Sequence, residues 1–247
     1  MKIIISPAKK MKSDDGLPWQ ELPLFLEKTQ RLLETLRAMP YDRLKTLWKC
    51  NDSIAEENLR RLKTMDLRRN LTPAILSYEG IQYRYMAPDV FTDREFGYLQ
   101  KNLRILSGFY GLLRPFDGVT PYRLEMQAKL AVDGAKDLYG FWGAGLAVAL
   151  AEGTDWVLDL ASREYSDAVT KHLPPSVRLV RCVFGEEQAG RVVEKGTLCK
   201  MARGEMVRYM AETGAERPQD LCSFDRLGYR FAPGYSSENV LVFLRET

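Results

Sequence analysis

The chain has 247 residues, 45% of them apolar and 28% charged, which suits a globular protein with a real core; 36 basic against 33 acidic side chains leave a net charge of only +3. An anionic partner would therefore meet a local patch of Lys and Arg and not the molecule as a whole. A single histidine and four scattered cysteines exclude a Ser/His/Asp hydrolase and speak against a zinc or iron site, and no apolar run approaches the ~18 residues of a membrane span.

Residues 2–5 predict a short buried strand that breaks at Ser6-Pro7 and delivers Ser6 and Lys9 into a loop. The same run is too short for a signal-peptide core, so a cytoplasmic location is expected. Leu22, Phe25, Leu26, Leu32, Leu33 and Leu36 recur at helical spacing and predict an amphipathic helix that stops near Pro40, followed by a shorter one over 41–48. Ser53 and Glu56 have the spacing of a capping box, which would start a helix reaching about Met65.

Further strands are expected at 75–77, 103–106, 156–160 and 177–184, with helices near 91–101, 138–151, 163–171 and 197–213. His172, before Leu173-Pro174-Pro175, reads as a polar residue at a helix end. Residues 229–231 and 240–244 flank a polar turn and predict a β-hairpin. Strands alternating with helical patterns make this an α/β chain: one domain over 1–247 with a mixed sheet and a helical insertion over about 20–70. Gly143-Ala144-Gly145 does not follow a strand and so does not open a dinucleotide-binding fingerprint, and no Walker loop is present.

Within the insertion, two short helices lie either side of the polar turn Lys49-Cys50-Asn51, a layout that resembles a helix-hairpin-helix motif at about 40–66. Leu47, Cys50 and Ala55 fall at the offsets such motifs use, while Lys49 and Asn51 replace the two hairpin glycines. Asn51 tolerates the left-handed conformation that a glycine would otherwise supply, and amides opening the next helix form an anion site. Lys45, Lys49, Asn51, Ser53, Arg60, Arg61 and Lys63 are thus the candidate DNA contacts, although Asp52, Glu56, Glu57 and Asp66 offset part of the charge and an ordinary solvated face is the competing reading.

A second group is dispersed. Ser107-Gly108-Phe109-Tyr110-Gly111 follows a strand, with glycines suited to a sharp turn or a close approach, and leads to Arg114 and Asp117. Tyr122, Arg123 and Glu125 crowd a stretch that Pro121 keeps out of regular helix. Ser162 is a natural N-cap beside Glu164 and Tyr165. Lys200 and Arg203 share a helix face next to Gly204, where they would hold a phosphate or carboxylate or pair with Glu125 or Glu164.

Taken in order, Ile4-Ile5-Ser6-Pro7-Ala8-Lys9, Leu106-Ser107-Gly108-Phe109-Tyr110-Gly111-Leu112-Leu113-Arg114-Pro115, Pro121-Tyr122-Arg123-Leu124-Glu125-Met126, Leu138-Tyr139-Gly140-Phe141-Trp142-Gly143, Leu160-Ala161-Ser162-Arg163-Glu164-Tyr165 and Lys200-Met201-Ala202-Arg203-Gly204 resemble the YaaA family of peroxide-stress proteins. The resemblance implies a cytosolic protein of the response to hydrogen peroxide, linked to iron homeostasis, with an α/β fold that carries a helix-hairpin-helix and binds DNA. Two readings follow. In the first, the hairpin and a basic cleft hold DNA by backbone and shape, with neither metal nor other cofactor, and so limit damage by iron and peroxide. In the second, the chain is an enzyme with a nucleotide or nucleobase as ligand; its pocket would gather Ser6, Lys9, Arg114, Asp117, Tyr122, Arg123, Glu125, Ser162, Glu164, Tyr165, Lys200 and Arg203. A buried polar network that fixes the fold is the competing explanation for the same residues.

Overall fold

Residues 1–246 are described by the computed structural model, and an eight-stranded mixed sheet organises them. Its strands are β1 (Lys2–Ile5), β2 (Leu103–Ser107), β3 (Gly111–Leu113), β4 (Trp156–Leu160), β5 (Arg178–Gln188), β6 (Arg191–Val193), β7 (Tyr229–Phe231) and β8 (Val240–Arg245). The order is β7-β8-β5-β4-β1-β2-β3, with β6 on β5. The inner run β8-β5-β4-β1-β2 is parallel, and β7, β6 and β3 attach antiparallel.

The centre of a parallel sheet is covered on both faces, so its strands read as unbroken apolar runs. Ile3, Ile4 and Ile5 of β1 are each 0% exposed, and β4 is buried throughout. Removing each isoleucine from water is worth roughly 1.5–3 kcal/mol. β1 pairs with β2 on one side and β4 on the other, so the strand order reverses there; in open α/β sheets the crevice beyond the strand ends at such a point is where ligands bind.

The helices are α1 (Leu26–Arg37), α2 (Tyr41–Trp48), α3 (Asp52–Thr64), α4 (Ile81–Met86), α5 (Asp93–Asn102), α6 (Leu138–Trp142), α7 (Gly145–Ala151), α8 (Arg163–Thr170) and α9 (Gly196–Thr213). α1 buries Leu32, Leu33 and Leu36 as its spacing predicts, and Arg37 in its last turn donates to the carbonyls of Leu62 (2.9 Å) and Met65 (2.7 Å), closing the free end of α3. The C-terminal β7-β8 pair is antiparallel, as expected for the hairpin.

Three local expectations are corrected. Residues 75–77 are not a strand: Ala74–Ser77 is one helical turn, all of it buried, whose amides reach the carbonyls of Asp117 and Pro115. A short apolar run cannot by itself distinguish a buried strand from a buried helical turn, and Pro73 here starts the turn. The capping box is not at Ser53, which lies inside α3; Asn51 caps that helix, its Oδ1 accepting from the amide of Ile54 (3.0 Å). The true box is Thr92 with Glu95 at the start of α5. The helix expected over 138–151 is broken at Gly143, whose φ of +54° lies in the region that favours glycine.

α9 packs on α4 and α5. A Cβ at position 204 would lie 2.2 Å from the carbonyl oxygen of Gln82, so α9 and α4 touch backbone to backbone only because that residue is glycine.

Candidate functional site

The carboxyl ends of the central strands are tied together by side chains. Ser6, just after β1, accepts the amide of Ser162 at its Oγ (2.8 Å) and donates to the Ser162 hydroxyl (3.1 Å), linking the ends of β1 and β4. Ser162 opens α8 without capping it through its own side chain. The phenol of Tyr83 donates to the carbonyl of Ser6 (3.0 Å). At the end of β2, Ser107 Oγ accepts the amide of Tyr110 (2.8 Å) and is hydrogen-bonded to the phenol of Tyr122 (2.6 Å), which in turn bonds Tyr78 (2.9 Å). Burial pushes Tyr78, Tyr83 and Tyr122 above the ordinary phenol range, so all three remain protonated donors.

Residues 121–126 reach this place because Gly108 gives way: a Cβ there would sit 2.5 Å from the carbonyl oxygen of Leu124. Gly111 takes φ +77° to turn the chain into β3. Both glycines thus serve the turn and the close approach that their position after a strand suggests.

The result is a cleft of about 520 Å³. Residues 6–10, 79–83 and 122–125 with Ser162, Glu164 and Tyr165 form its wall, and Lys200 and Arg203 of α9 complete it, bringing five cations and three carboxylates together. Ser6, Lys9, Tyr122, Arg123, Glu125, Ser162, Glu164, Tyr165, Lys200 and Arg203 all line this one space. Arg114 and Asp117 do not: Asp117 accepts from the Arg114 amide and Nε (both 2.9 Å), Arg114 also pairs with Glu21 (2.6 Å), and the group fixes a turn away from the cleft. Burial pushes the Asp117 carboxyl up to about 6, against the pull of Arg114.

Inside the cleft, Glu125 is shared by Lys9 (2.9 Å) and Arg123 (3.4 Å), while Glu164 accepts the amide of Gln127 (3.1 Å). Burial raises the Glu164 carboxyl, and the charge of Glu125 adds to this while the Gln127 amide and Lys9 oppose it. The ion pair expected between α9 and Glu125 or Glu164 is absent among the described residues: Arg203 faces Glu194 at 3.7 Å, and Lys200 has no carboxylate within 4 Å. Gln82 and Tyr83 were missed by the sequence reading, although Tyr78-Glu79-Gly80-Ile81-Gln82-Tyr83 has the same aromatic and polar density around a glycine that singles out 121–126.

The helical hairpin stands beside the cleft. Arg123 Nε donates to the carbonyl of Trp48, the last residue of α2 (3.2 Å), so a cleft residue holds the start of the hairpin turn. Lys49, not Asn51, adopts the left-handed conformation (φ 46°, ψ 54°); Asn51 is extended because its side chain is engaged as a cap. Lys45 pairs with Asp52 (2.6 Å) and Arg61 with Glu57 (2.6 Å), whereas Lys49, Arg60 and Lys63 are exposed and have no carboxylate within 4 Å among the described residues. Ser53 is exposed in the first turn of α3.

Elsewhere, His172 is exposed after α8, the four cysteines are unpaired, and burial pushes the Cys199 thiol up to about 11. Among the described residues no group of three or more His, Cys, Asp or Glu side chains is placed to hold a metal ion, and no helix is long and apolar enough to cross a membrane.

A family model described as peroxide stress protein YaaA matches residues 1–234. Proteins named UPF0246 are similar along nearly their whole length: one from Lachnoclostridium phytofermentans is 51% identical over 246 residues, covering 99% of this chain and 96% of the relative. One from Desulfitobacterium hafniense is 51% identical over 246 residues, covering 99% and 98%, and one from Agathobacter rectalis is 50% identical over 247 residues, covering 100% and 99%.

Proposed function

We propose, from the premise that the chain belongs to the YaaA family of peroxide stress proteins, that it serves the peroxide response by binding DNA, so limiting iron- and peroxide-dependent damage to it. The observation that carries this reading is the bond from Arg123 to the carbonyl of Trp48, which sets the unpaired cations of the hairpin beside the basic cleft. Among the described residues Lys49, Arg60 and Lys63 present charge that no carboxylate neutralises, and Lys200 adds an unpaired cation at the cleft, where Lys9 and Lys10 are paired with Glu125 and Glu79. Few side chains suited to reading base edges stand among these groups, so backbone and shape dominate recognition.

Iron does not have to be held by the chain for this protection. Its ligand chemistry is poor in imidazole and thiolate, with one exposed His172 and with Cys182 and Cys199 buried and shifted towards the neutral thiol.

The test is the triple variant Lys49→Ala, Arg60→Ala, Lys63→Ala, titrated against a fluorescent duplex at several salt concentrations. Loss of up to three phosphate contacts should weaken binding and flatten the plot of log K against log salt by about 2–3 units. Melting temperature should hardly change, since the three side chains are exposed. A folded triple variant with unaltered affinity and salt slope would remove the hairpin from the DNA interface.

A further inference from the structure

Two polar side chains of the cleft are left without the bonds their burial calls for. Gln82 is 7% exposed, its Nε2 has no partner, and no hydrogen bond to either end of its amide is made among the described residues. Arg203 is 17% exposed at its side chain; its Nε is buried and unpartnered, and its only carboxylate neighbour among the described residues, Glu194, is 3.7 Å away. A guanidinium carries five donors and a carboxamide two donors and an acceptor, and groups of this kind buried in native proteins are nearly always bonded. Both side chains line the same cleft, where Gly204 brings the backbone of α9 against that of Gln82.

They call for different chemistry. A desolvated guanidinium with a free lysine, Lys200, one helical turn before it, fits a phosphate, which it can grip with parallel bonds. The carboxamide of Gln82 matches the donor and acceptor edge of a nucleobase, and the buried rings of Tyr83, Tyr122 and Tyr165 offer flat apolar surface beside it. A carboxylate metabolite would satisfy Arg203 and leave Gln82 and the rings unused. The volume, about 520 Å³, falls within the range of small-ligand sites, and the position beyond the ends of β1 and β4 is where such sheets bind ligands.

We propose that the cleft binds one nucleotide unit, with its phosphate on Arg203 and Lys200 and its base against Gln82 and the tyrosines. This goes beyond DNA binding and does not depend on it, because a nucleoside monophosphate free in solution and a nucleotide swung out of a strand present the same chemistry.

Calorimetric titration with dAMP, dTMP and inorganic phosphate tests the site, and 2-aminopurine placed in a bulge or in paired duplex distinguishes the sources. The intact protein should bind at least one mononucleotide tenfold or more tighter than phosphate, or raise the bulge fluorescence several-fold, or both. Arg203→Met should lower nucleotide affinity at least tenfold. Gln82→Leu should do the same while leaving phosphate affinity alone. Lys200→Met, at an exposed position, should cost severalfold and keeps the test valid if the buried variants do not fold. Mononucleotide binding without a fluorescence rise identifies a free nucleotide, and the reverse identifies an extruded one. Equal affinity for phosphate and nucleotides, with no fluorescence change, would overturn the proposal, as would failure of every probe to bind. Anisotropy of the same duplexes reads DNA affinity separately: nucleotide binding without duplex binding would sink the DNA reading and leave the nucleotide site standing.

Discussion

The cleft and the helical hairpin are neighbours built on opposite principles. The cleft is assembled from pieces far apart in sequence and held by buried or half-buried bonds, Ser6 to Ser162, Tyr83 to Ser6 and Ser107 to Tyr122, and by a helix contact at Gly204 too close for any side chain. The hairpin is continuous in sequence, lies at the surface, and neutralises two of its own cations, Lys45 and Arg61, with Asp52 and Glu57. Rigid placement suits recognition of a small ligand, whereas an exposed turn with unpaired cations suits an extended polyanion. A charge count along the sequence therefore overstates the free charge of both: Lys45 and Arg61 are paired in the hairpin, and Lys9, Lys10 and Arg123 face Glu125 or Glu79 in the cleft.

The sharpest way to break the comparison is Gly204→Val. Its branched side chain would enter backbone at Gln82 and force α9 away from α4, so a loss above about 3 kcal/mol or failure to fold is expected in thermal and urea melts. A variant within 1 kcal/mol of the parent would mean that the cleft wall yields easily and is not rigid.

Next in size is Arg123→Met, which keeps the apolar stem but removes the bond to Trp48 and one of the two cations on Glu125. Loss of a charge-assisted bond at a largely buried side chain should cost about 1.5–3 kcal/mol. Hydrogen exchange should rise over residues 46–52 while β1 and β4 keep their protection; unchanged exchange in the hairpin would show that Arg123 does not hold it.

The smallest effect concerns the turn itself. Lys49 has a left-handed backbone that costs a residue with a Cβ on the order of 1 kcal/mol, so Lys49→Gly should raise stability by about 0.5–1 kcal/mol. A destabilised variant would indicate that the lysine side chain, and not the turn geometry, secures the hairpin.

How far the sequence speaks follows the same division. Strands 2–5 and 156–160 are legible because burial on both faces demands unbroken apolar runs, and the C-terminal hairpin is legible from its polar turn. Most of the cleft is foreshadowed too, since Tyr122, Arg123 and Glu125 beside proline, or Glu164 and Tyr165 after a strand, make poor connectors. Their convergence depends on strand order, which no local pattern carries; hence Arg114 and Asp117 look like members of the site until their mutual bonds place them outside it. Gln82 escapes notice because its significance is a missing partner, and a missing partner has no sequence signature. At the hairpin, Asn51 has two uses, cap and left-handed turn, and only the folded chain decides between them.

The position of β1 bears on how the protein is made. Ile3, Ile4 and Ile5 are synthesised well before their partners, residues 103–105 on one side and 158–160 on the other. At about 5–20 residues per second, the leading strand waits roughly ten to thirty seconds for both neighbours to be synthesised. During that interval a continuous isoleucine run lacks its partners, and the central sheet closes only once Leu160 has been made. Cotranslational chaperones thus have a natural target in β1 for as long as its two neighbours are still being made.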